Sequence, residues 1–118
     1  MANPNLLEAT SCTLGSIAVI PSTSTTDVTN AVAADTIRKV VSLYACNVSA
    51  SSQTLELWYY NPGISRRIVH DLTIPANATV VIITKEAPLH LFETYDKLQA
   101  IASSLNTIHL YGAFEDYS

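Results

Sequence analysis

The chain has little charge and almost no glycine for its length. Only 14% of its 118 residues are Asp, Glu, Lys or Arg, whereas ordinary globular chains contain roughly a quarter. Three glycines leave no glycine-rich loop to cradle a phosphate or a dinucleotide. With six basic residues and a net charge of −4, the chain lacks the clustered cations that bind nucleic acid. Its polarity comes instead from 12 Ser and 13 Thr, which suits strands whose surfaces meet other subunits without burying charge.

Long apolar segments are also missing. No purely aliphatic run exceeds four residues, the length of the run at 80–83, which is far shorter than the roughly 20 residues that span a bilayer. The first residues have no basic cluster typical of a secretory signal. We therefore expect no membrane partner and synthesis in the cytoplasm. The two matches to the glycosylation pattern, at Asn47 and Asn77, are then expected to be turn residues.

Cysteine occurs only twice, at Cys12 and Cys46, without the spacing of a metal site. In a reducing compartment the two are expected to be free, buried thiols. A disulfide between them is the alternative.

Short apolar-alternating runs, separated by turn signals such as residues 61–63 and 75–77, fill the chain. This pattern predicts an all-β fold, a single antiparallel β-sandwich or jelly roll of seven or eight strands. The predicted strands cover residues 16–20, 37–48, 53–60, 67–74, 78–85, 89–91, 97–103 and 107–115. A helix over 94–105 is the one competing interpretation, because short apolar runs are ambiguous by periodicity alone.

The first 35 residues differ from the rest in composition. They are predicted to hold an extended N-terminal arm, one short strand and a polar loop, followed by the β-sandwich domain at 36–118. The polar loop over 22–31 has an alternative interpretation, in which it lies across a neighbouring subunit and its Thr residues add a strand to that neighbour's open edge. The N-terminal arm is a candidate to bridge subunits, with Asn5, Leu6 and Leu7 as its candidate interface residues.

The sequence contains no strong pattern of catalytic or metal-binding residues. His70, His90 and His109 form no ligand-spaced pair, so no metal and no cofactor is expected. In the strand over 67–74, alternation places His70, Leu72 and Ile74 on one side, with Ile68. Asp71 should then point to the opposite face and be unable to orient His70. We expect no catalytic residue and no enzyme activity.

Aromatic residues offer the clearest binding candidates. Trp58 and Tyr60, with Tyr44, are candidates for an exposed platform that binds sugar or a partner. The favoured interpretation of Trp58 is, however, that it caps the core from one sheet. Near the C-terminus, Phe114 is expected in the core and Tyr117 is free to reach a neighbour. The basic pairs at 38–39 and 66–67 are expected to be solvated or ion-paired.

The succession of strands also resembles a class of known proteins. The passages that carry this resemblance are residues 39–48, 55–59, 72–79 with its Ile-Pro-Ala corner, 89–103, and 110–115 with its aromatic and acidic residues. In this order they resemble small virion structural proteins of tailed bacteriophages, over about two thirds of the chain from Ile37 onward. The chain departs from that pattern at 92–97, where such proteins more often carry a Gly-Asp turn.

The resemblance implies a non-enzymatic β-sandwich subunit of a phage particle. Its expected role is a decoration or cement protein of the head, in contact with the major capsid protein and assembled as a homo-oligomer, with a trimer favoured. A neck, tail or baseplate subunit is the first alternative, and a carbohydrate-binding module is the second. The candidate interface then comprises the three arm residues together with Trp58, Tyr60 and Tyr117.

Overall fold

The computed structural model describes residues 11–118, and this part of the chain is all β. The strands are β1 (Cys12–Val19), β2 (Thr26–Asp27), β3 (Ile37–Asn47), β4 (Gln53–Asn61), β5 (Ile64–Ile74), β6 (Thr79–Ile83), β7 (Leu89–Leu91), β8 (Lys97–Ala102) and β9 (Ile108–Tyr117). A five-stranded antiparallel sheet has the order β1-β9-β3-β6 with β7 beside β3, and a four-stranded one has the order β2-β8-β4-β5. The predicted all-β sandwich is confirmed, with nine strands.

The competing prediction of a helix over 94–105 is wrong, because β8 occupies the middle of that range. The polar Ser103-Ser104 pair stops the apolar alternation after six strand residues, too few for a stable helix. No helix within residues 11–118 is long and apolar enough to cross a membrane.

The core lies between the inner faces of the two sheets. In β4, Leu55 and Leu57 are completely buried, as period-two alternation predicts for a strand with one wet face. Alternation likewise buries Leu43 and Ala45 of β3. The largest fully buried side chains are Ile17, Val32, Ile37, Val40, Leu43, Leu55, Leu57, Ile74, Leu91, Leu98, Ile108 and Leu110.

The segment before β3 belongs to this same core. β1 starts at Cys12, four residues before the predicted strand, and pairs with β9 along its whole length. The polar segment that follows runs beside β8, where Val28 N donates to the Leu98 carbonyl at 2.8 Å and Val32 N donates to the Asp96 carbonyl at 2.9 Å. Both valines are buried. The division at residue 35 is therefore one of composition and secondary structure, since residues on both sides of it fill one core.

The predicted corners form where turn residues demand them. Pro62 and Gly63 join β4 to β5, and Gly63 has φ of +85°, a conformation that glycine adopts without strain. Asn77, in the corner before β6, has φ of 57°. Asn47 is fully buried, and its side-chain amide donates to the carbonyls of Ser51 and Ile74, both at 2.9 Å. Its amide hydrogens are therefore engaged in holding a turn, as the sequence predicted.

A β-bulge in β5 overturns one prediction of strand faces. Leu57 pairs with Val69 and Leu55 pairs with Leu72, so Glu56 lies opposite two residues, His70 and Asp71. Asp71 has φ of 47°, a left-handed conformation that is rare outside glycine and more tolerated by Asp than by most residues. The extra residue flips the pleat.

Side chains on either side of that bulge consequently change faces. Leu72 and Ile74 point into the core as predicted, but Ile68 and His70 are exposed on the outer face. Val69 packs against the core in their place. The prediction that Ile68, His70, Leu72 and Ile74 share one side is therefore wrong, because alternation does not continue through a bulge.

A buried ion pair ties β3 to β9. Arg38, with only 3% of its side chain exposed, donates from Nε and Nη2 to the two carboxylate oxygens of Asp116 at 2.8 and 2.9 Å. Its Nη1 donates to the Asn30 carbonyl at 2.6 Å, and its guanidinium carbon lies 4.1 Å from the centre of the Phe114 ring. The expectation of an ion-paired Arg38 and a packed Phe114 is thus confirmed.

A buried carboxylate, that of Asp96, anchors the connection from β7 to β8. Asp96 accepts hydrogen bonds from the Tyr59 hydroxyl at 2.5 Å, from Asn61 Nδ2 at 2.8 Å and from the Glu93 backbone N–H at 3.0 Å. Burial of the phenol and the adjacent carboxylate raise the pKa of Tyr59 to about 12. Tyr59 therefore remains a neutral donor at physiological pH.

Candidate interaction surface

Four of the exposed large apolar side chains lie on the outside of the five-stranded sheet. We call this the outer apolar face, formed by Leu14, Tyr44, Val81 and Tyr111, of which 76%, 40%, 51% and 62% are exposed. Val81 of β6 pairs with Tyr44 of β3, Tyr44 pairs with Tyr111 of β9, and Tyr111 pairs with Ala18 of β1. Val81, Tyr44, Tyr111 and Ala18 therefore form a row that crosses four strands of the sheet, and Leu14 lies four residues before Ala18 on the same side of β1.

Strand alternation explains why these residues lie outside. In β3, Leu43 and Ala45 are buried on either side of Tyr44, and in β9, Leu110 is buried beside Tyr111. Gly112, the next inward-facing position of β9, lies so close to β3 that an added Cβ would overlap the Ser42 carbonyl oxygen. β3 bulges at this point, between Val40 and Ser42. The close approach keeps β3 and β9 tightly paired beneath the outer tyrosines.

A groove of about 820 Å³ runs along one side of this face. Tyr44 and Val81 line one part of it, and Tyr117 and Glu115 of β9 line another, with Lys39. The Tyr117 hydroxyl donates to Glu115 Oε1 at 2.8 Å, and this bond, with partial burial, raises the pKa of Tyr117 to about 12. The predicted interface residue Tyr117 thus lies near Tyr44, as a neutral phenol.

The outside of the four-stranded sheet has a different chemistry, and it contains Trp58 and Tyr60. The Arg67 guanidinium carbon lies 4.7 Å from the centre of the Trp58 ring, and Lys97 Nζ lies 5.1 Å from that of Tyr60. Two cations therefore cover the rings that were predicted to form a platform. Trp58 alternates with the buried Leu57 and does not belong to the core cluster, so the favoured interpretation, in which it caps the core, is wrong.

Tyr44 does not join Trp58 and Tyr60, because it belongs to the opposite sheet. β3 and β4 follow one another in sequence but lie in different sheets, so outward-facing residues of the two strands point away from each other on opposite sides of the molecule. A three-residue aromatic platform is therefore not formed.

The bulge in β5 brings together Glu56, His70 and Asp71, the one group of three metal-capable side chains in the described part of the chain. His70 Nδ1 lies 3.3 Å from Glu56 Oε1, and His70 Nε2 lies 3.2 Å from Asp71 Oδ2. The prediction that adjacent His70 and Asp71 cannot meet is therefore wrong, since the left-handed Asp71 backbone turns its side chain to the same face.

This cluster is a chain of polar side chains in contact with one another. The two carboxylates approach different nitrogens of one imidazole, and Arg67 Nη2 lies 3.4 Å from Glu56 Oε1. The guanidinium already supplies a positive charge to Glu56. The ring of His90 in β7 stacks on that of Phe92, the residue after this strand, with the ring centres 5.4 Å apart, and His109 lies in β9. Both strands belong to the other sheet, so neither histidine is part of this group.

Both cysteines are free. Cys12 of β1 pairs with Tyr117 of β9, and Tyr117 pairs on its other side with Ile37 of β3. Cys12 is therefore level with Ile37, and Cys46 lies nine residues further along β3. At about 3.4 Å per residue the two are separated by about 30 Å, whereas a disulfide needs Cα atoms within about 7 Å. Cys46 is half-buried, but Cys12 is exposed. The expectation of a buried Cys12 is thus wrong, because β1 is an edge strand whose outer side faces solvent.

Asn5, Leu6 and Leu7 lie outside the described residues, so their role as interface residues stays a prediction. The sequence analysis did not predict the outer apolar face, although one feature of the sequence indicated part of it. Tyr44 and Tyr111 each alternate with strongly apolar neighbours, which marks both as outward-facing in strands. That the two pair side by side depends on the sheet order, which no local pattern encodes.

No family model and no curated protein matches this chain by sequence. Its fold does match solved structures. A chain from Bacillus endospore appendages, described as a novel family of disulfide-linked pili, matches with a TM-score of 0.56 at 8% identity over 92% of this chain and 87% of that one.

Two further matches come from infectious bursal disease virus, one from its Gx strain and one from its T13 viral particle. Both have a TM-score of 0.52 and cover 92% of this chain, at 15% and 14% identity. This chain spans only 33% and 31% of those viral chains. At such identities the likeness is one of fold.

Proposed function

We propose that this chain is a structural subunit of a virion and that it acts by assembly and not by catalysis. The observation that carries the proposal is the outer apolar face, an exposed row of apolar side chains on a paired sheet. Contiguous exposed apolar surface rimmed by polar groups marks a protein interaction site in soluble proteins. Chains from a virus particle and from pili share this sandwich fold, which supports a role in a repeating assembly.

The chemistry of the face favours a protein surface as its partner. Its central row, from Val81 through Tyr44 and Tyr111 to Ala18, contains no charged residue, so a partner can cover it without desolvating an ion. Tyrosines supply large apolar area with a hydroxyl that finds a hydrogen bond at an interface. Lys39, Lys85, Glu86 and Glu115 lie around the groove at one side and provide a polar rim.

In its finer form, the proposal is a decoration or cement protein of a bacteriophage head that binds the major capsid protein. The low overall charge and the resemblance of the strand pattern support this form. A neck, tail or baseplate subunit is the alternative, and copy number separates the two. Densitometry of purified particles is expected to find this chain in hundreds of copies. A ratio of about a dozen copies per particle contradicts the decoration role and favours the alternative.

A matched pair of variants tests the outer apolar face itself. Tyr111 on the face and Tyr95, in the connection before β8, are equally exposed at 62%. We expect Tyr111→Ser to lower incorporation into particles about tenfold, because losing one buried tyrosine contact is worth on the order of 1.4 kcal/mol or more. Tyr95→Ser should assemble normally. Equal incorporation of both variants contradicts the proposal.

A pilus or fibre subunit is a second candidate, favoured by the exposed free Cys12 and by the endospore appendage match, which covers most of both chains. Such a subunit would form ladders of covalent multimers on a non-reducing gel, and Cys12→Ser would abolish them. A single non-reduced band from native particles contradicts this candidate.

The carbohydrate-binding alternative rests on Trp58 and Tyr60 alone, since Tyr44 is on the other sheet. Arg67 and Lys97 already cover the two rings. We expect the parent chain and Trp58→Ala to give the same result on a glycan array, with no glycan bound through Trp58. Binding that depends on Trp58 would revive the alternative.

A further inference from the structure

The four sheet edges differ in how they are protected. An unpaired edge strand exposes N–H and C=O groups that can pair with another chain, and folded proteins usually block it with charges, bulges, prolines or a covering segment. In the part of the chain that the structure describes, the edges are β1 and β6 with β7 in the larger sheet, and β2 and β5 in the smaller one.

Three of these edges are blocked. β5 carries Arg66, Arg67 and the charged bulge at Asp71. β8 is covered by β2 and the polar segment around it, which donates and accepts backbone hydrogen bonds at Ser22, Val28 and Val32. β6 has only five residues and ends at a turn with Lys85 and Glu86, between the bridged residues Thr84 and Ala87.

β1 is the exception. Its sequence, Cys-Thr-Leu-Gly-Ser-Ile-Ala-Val, contains no charge and no proline. It pairs with β9 over eight consecutive residues without a register shift, so its free side is straight. Leu14, Ser16 and Ala18 are exposed, and Leu14 is the most exposed large apolar side chain described. Within residues 11–118, none of the features that block the other edges is found at β1.

We propose that β1 pairs antiparallel with β1 of a second copy of this chain, which joins the two five-stranded sheets into one continuous sheet. The inference deepens the proposed function, on which it rests, by naming the partner of one edge. A second copy fits because each copy offers the same uncharged backbone edge, and two such edges meet about a two-fold axis without like-charge repulsion.

The same geometry excludes a three-fold ring built through β1. Two β1 edges related by rotation form a closed, isologous pair, whereas a trimer would have to pair β1 with a different edge. The other edges are blocked by charge, a bulge or a covering segment. The pair therefore differs from the trimer that the resemblance favoured.

Pairing through β1 would also enlarge the outer apolar face. The row from Val81 through Tyr44 and Tyr111 ends at Ala18 on β1. A two-fold axis perpendicular to the sheet keeps the outer faces of both copies on the same side, so the two rows become parts of one surface. A dimer thus presents twice the apolar area of a single chain to a shell.

Sedimentation of the full chain with two matched variants tests the pairing. Ser16 in β1 and Ser65 in β5 are both exposed serines on free edges, and Ser→Lys adds one positive charge in each. We expect the parent chain to be dimeric, Ser16→Lys to raise the dimer dissociation constant at least tenfold, and Ser65→Lys to leave it unchanged. A monomeric or trimeric parent chain, or equal effects of both variants, overturns the proposal.

A distance measurement identifies the interface independently. With Cys46→Ser, a spin label on Cys12 reports the separation between copies. Opposed residues of an antiparallel pair share one face, so near-full overlap of the two β1 strands about the two-fold axis puts Cys12 opposite Ala18 of the other copy, and the two Cys12 Cα atoms lie six residues, or about 20 Å, apart. A distance between labels of about 15–30 Å supports the pairing, and a dimer with a distance beyond about 40 Å overturns it.

These outcomes are separable from the fate of the proposed function. A chain that incorporates into particles through Tyr111 but sediments as a monomer refutes the β1 pairing alone. A stable β1 dimer that is absent from particles refutes the virion role alone.

Discussion

The ion pair between Arg38 and Asp116 gives the sharpest prediction for stability. Arg38 is buried, and Asp116 has 23% of its side chain exposed. Replacing Asp116 by Ala leaves a buried guanidinium with two of its donors unpaired. Breaking such a pair typically costs about 3–5 kcal/mol, and we expect about 3 kcal/mol here because water can reach the Asp116 side.

Arg38→Met has a smaller expected effect. The remaining Asp116 carboxylate is partly solvated, and Met can pack against Phe114. The Asn30 carbonyl loses its donor, however, which costs about 2 kcal/mol. In the double variant no unpaired charge remains, so we again expect a loss of stability of about 2 kcal/mol. The two single losses would add to about 5 kcal/mol if they were independent. The coupling energy of the cycle is then about 3 kcal/mol.

Urea unfolding followed by circular dichroism measures all four proteins. With a slope of about 1.5 kcal/mol per molar, Asp116→Ala should lower the midpoint by about 2 M, and the double variant should be more stable than Asp116→Ala alone. A loss below about 1 kcal/mol for Asp116→Ala, or costs that simply add in the double variant, refutes the account of a buried and mutually dependent pair.

Two further predictions concern the packing beneath the interaction surface and the Asp96 network. Gly112→Ala should lower the free energy of unfolding by about 2 kcal/mol, because the added Cβ overlaps the backbone of β3. Gly63→Ala should lower it by only about 1 kcal/mol, because its Cβ meets no atom within 4 Å and only the positive φ is unfavourable. If urea unfolding shows Gly63→Ala to be the more destabilising variant, the close approach of β9 to β3 is contradicted. Tyr59→Phe should cost about 1–2 kcal/mol near neutral pH. The raised pKa of Tyr59 stabilises the fold fully below about pH 10, and this contribution is lost as pH rises towards 12, so the difference between Tyr59→Phe and the parent chain should shrink over that range.

The sequence contained enough information to predict what is local. Period-two alternation located eight of the nine strands, and β7 had the predicted bounds, Leu89–Leu91. The corner at Pro62 and Gly63 follows from the intrinsic φ preferences of those two residues. Each of these features depends on residues within one strand or one turn, so a linear pattern suffices to find it.

Sheet membership was not accessible in the same way. Alternation correctly predicts that Tyr44 and Trp58 face outward if their strands have one wet face, but it does not tell which sheet each strand joins. β3 and β4 enter different sheets, because the pairing of β3 with β9 and β6 joins residues far apart in sequence. The prediction of an aromatic platform was wrong for this reason. The pairing of Tyr44 with Tyr111 was missed because it too depends on which strands are neighbours in the sheet.

The bulge in β5 explains both the wrong prediction of its strand faces and the difference between the edges β5 and β1. Alternation through 67–74 predicted an uninterrupted strand, and an uninterrupted β5 would have been a second long, straight edge. The extra residue at Asp71 disrupts the ladder, bends the strand and adds a charge. The conformation that defeated the face prediction is thus what makes β5 unsuitable for pairing. With β8 covered and β6 short, a second copy that pairs by its backbone has one straight, uncharged edge available in the described chain, which is β1.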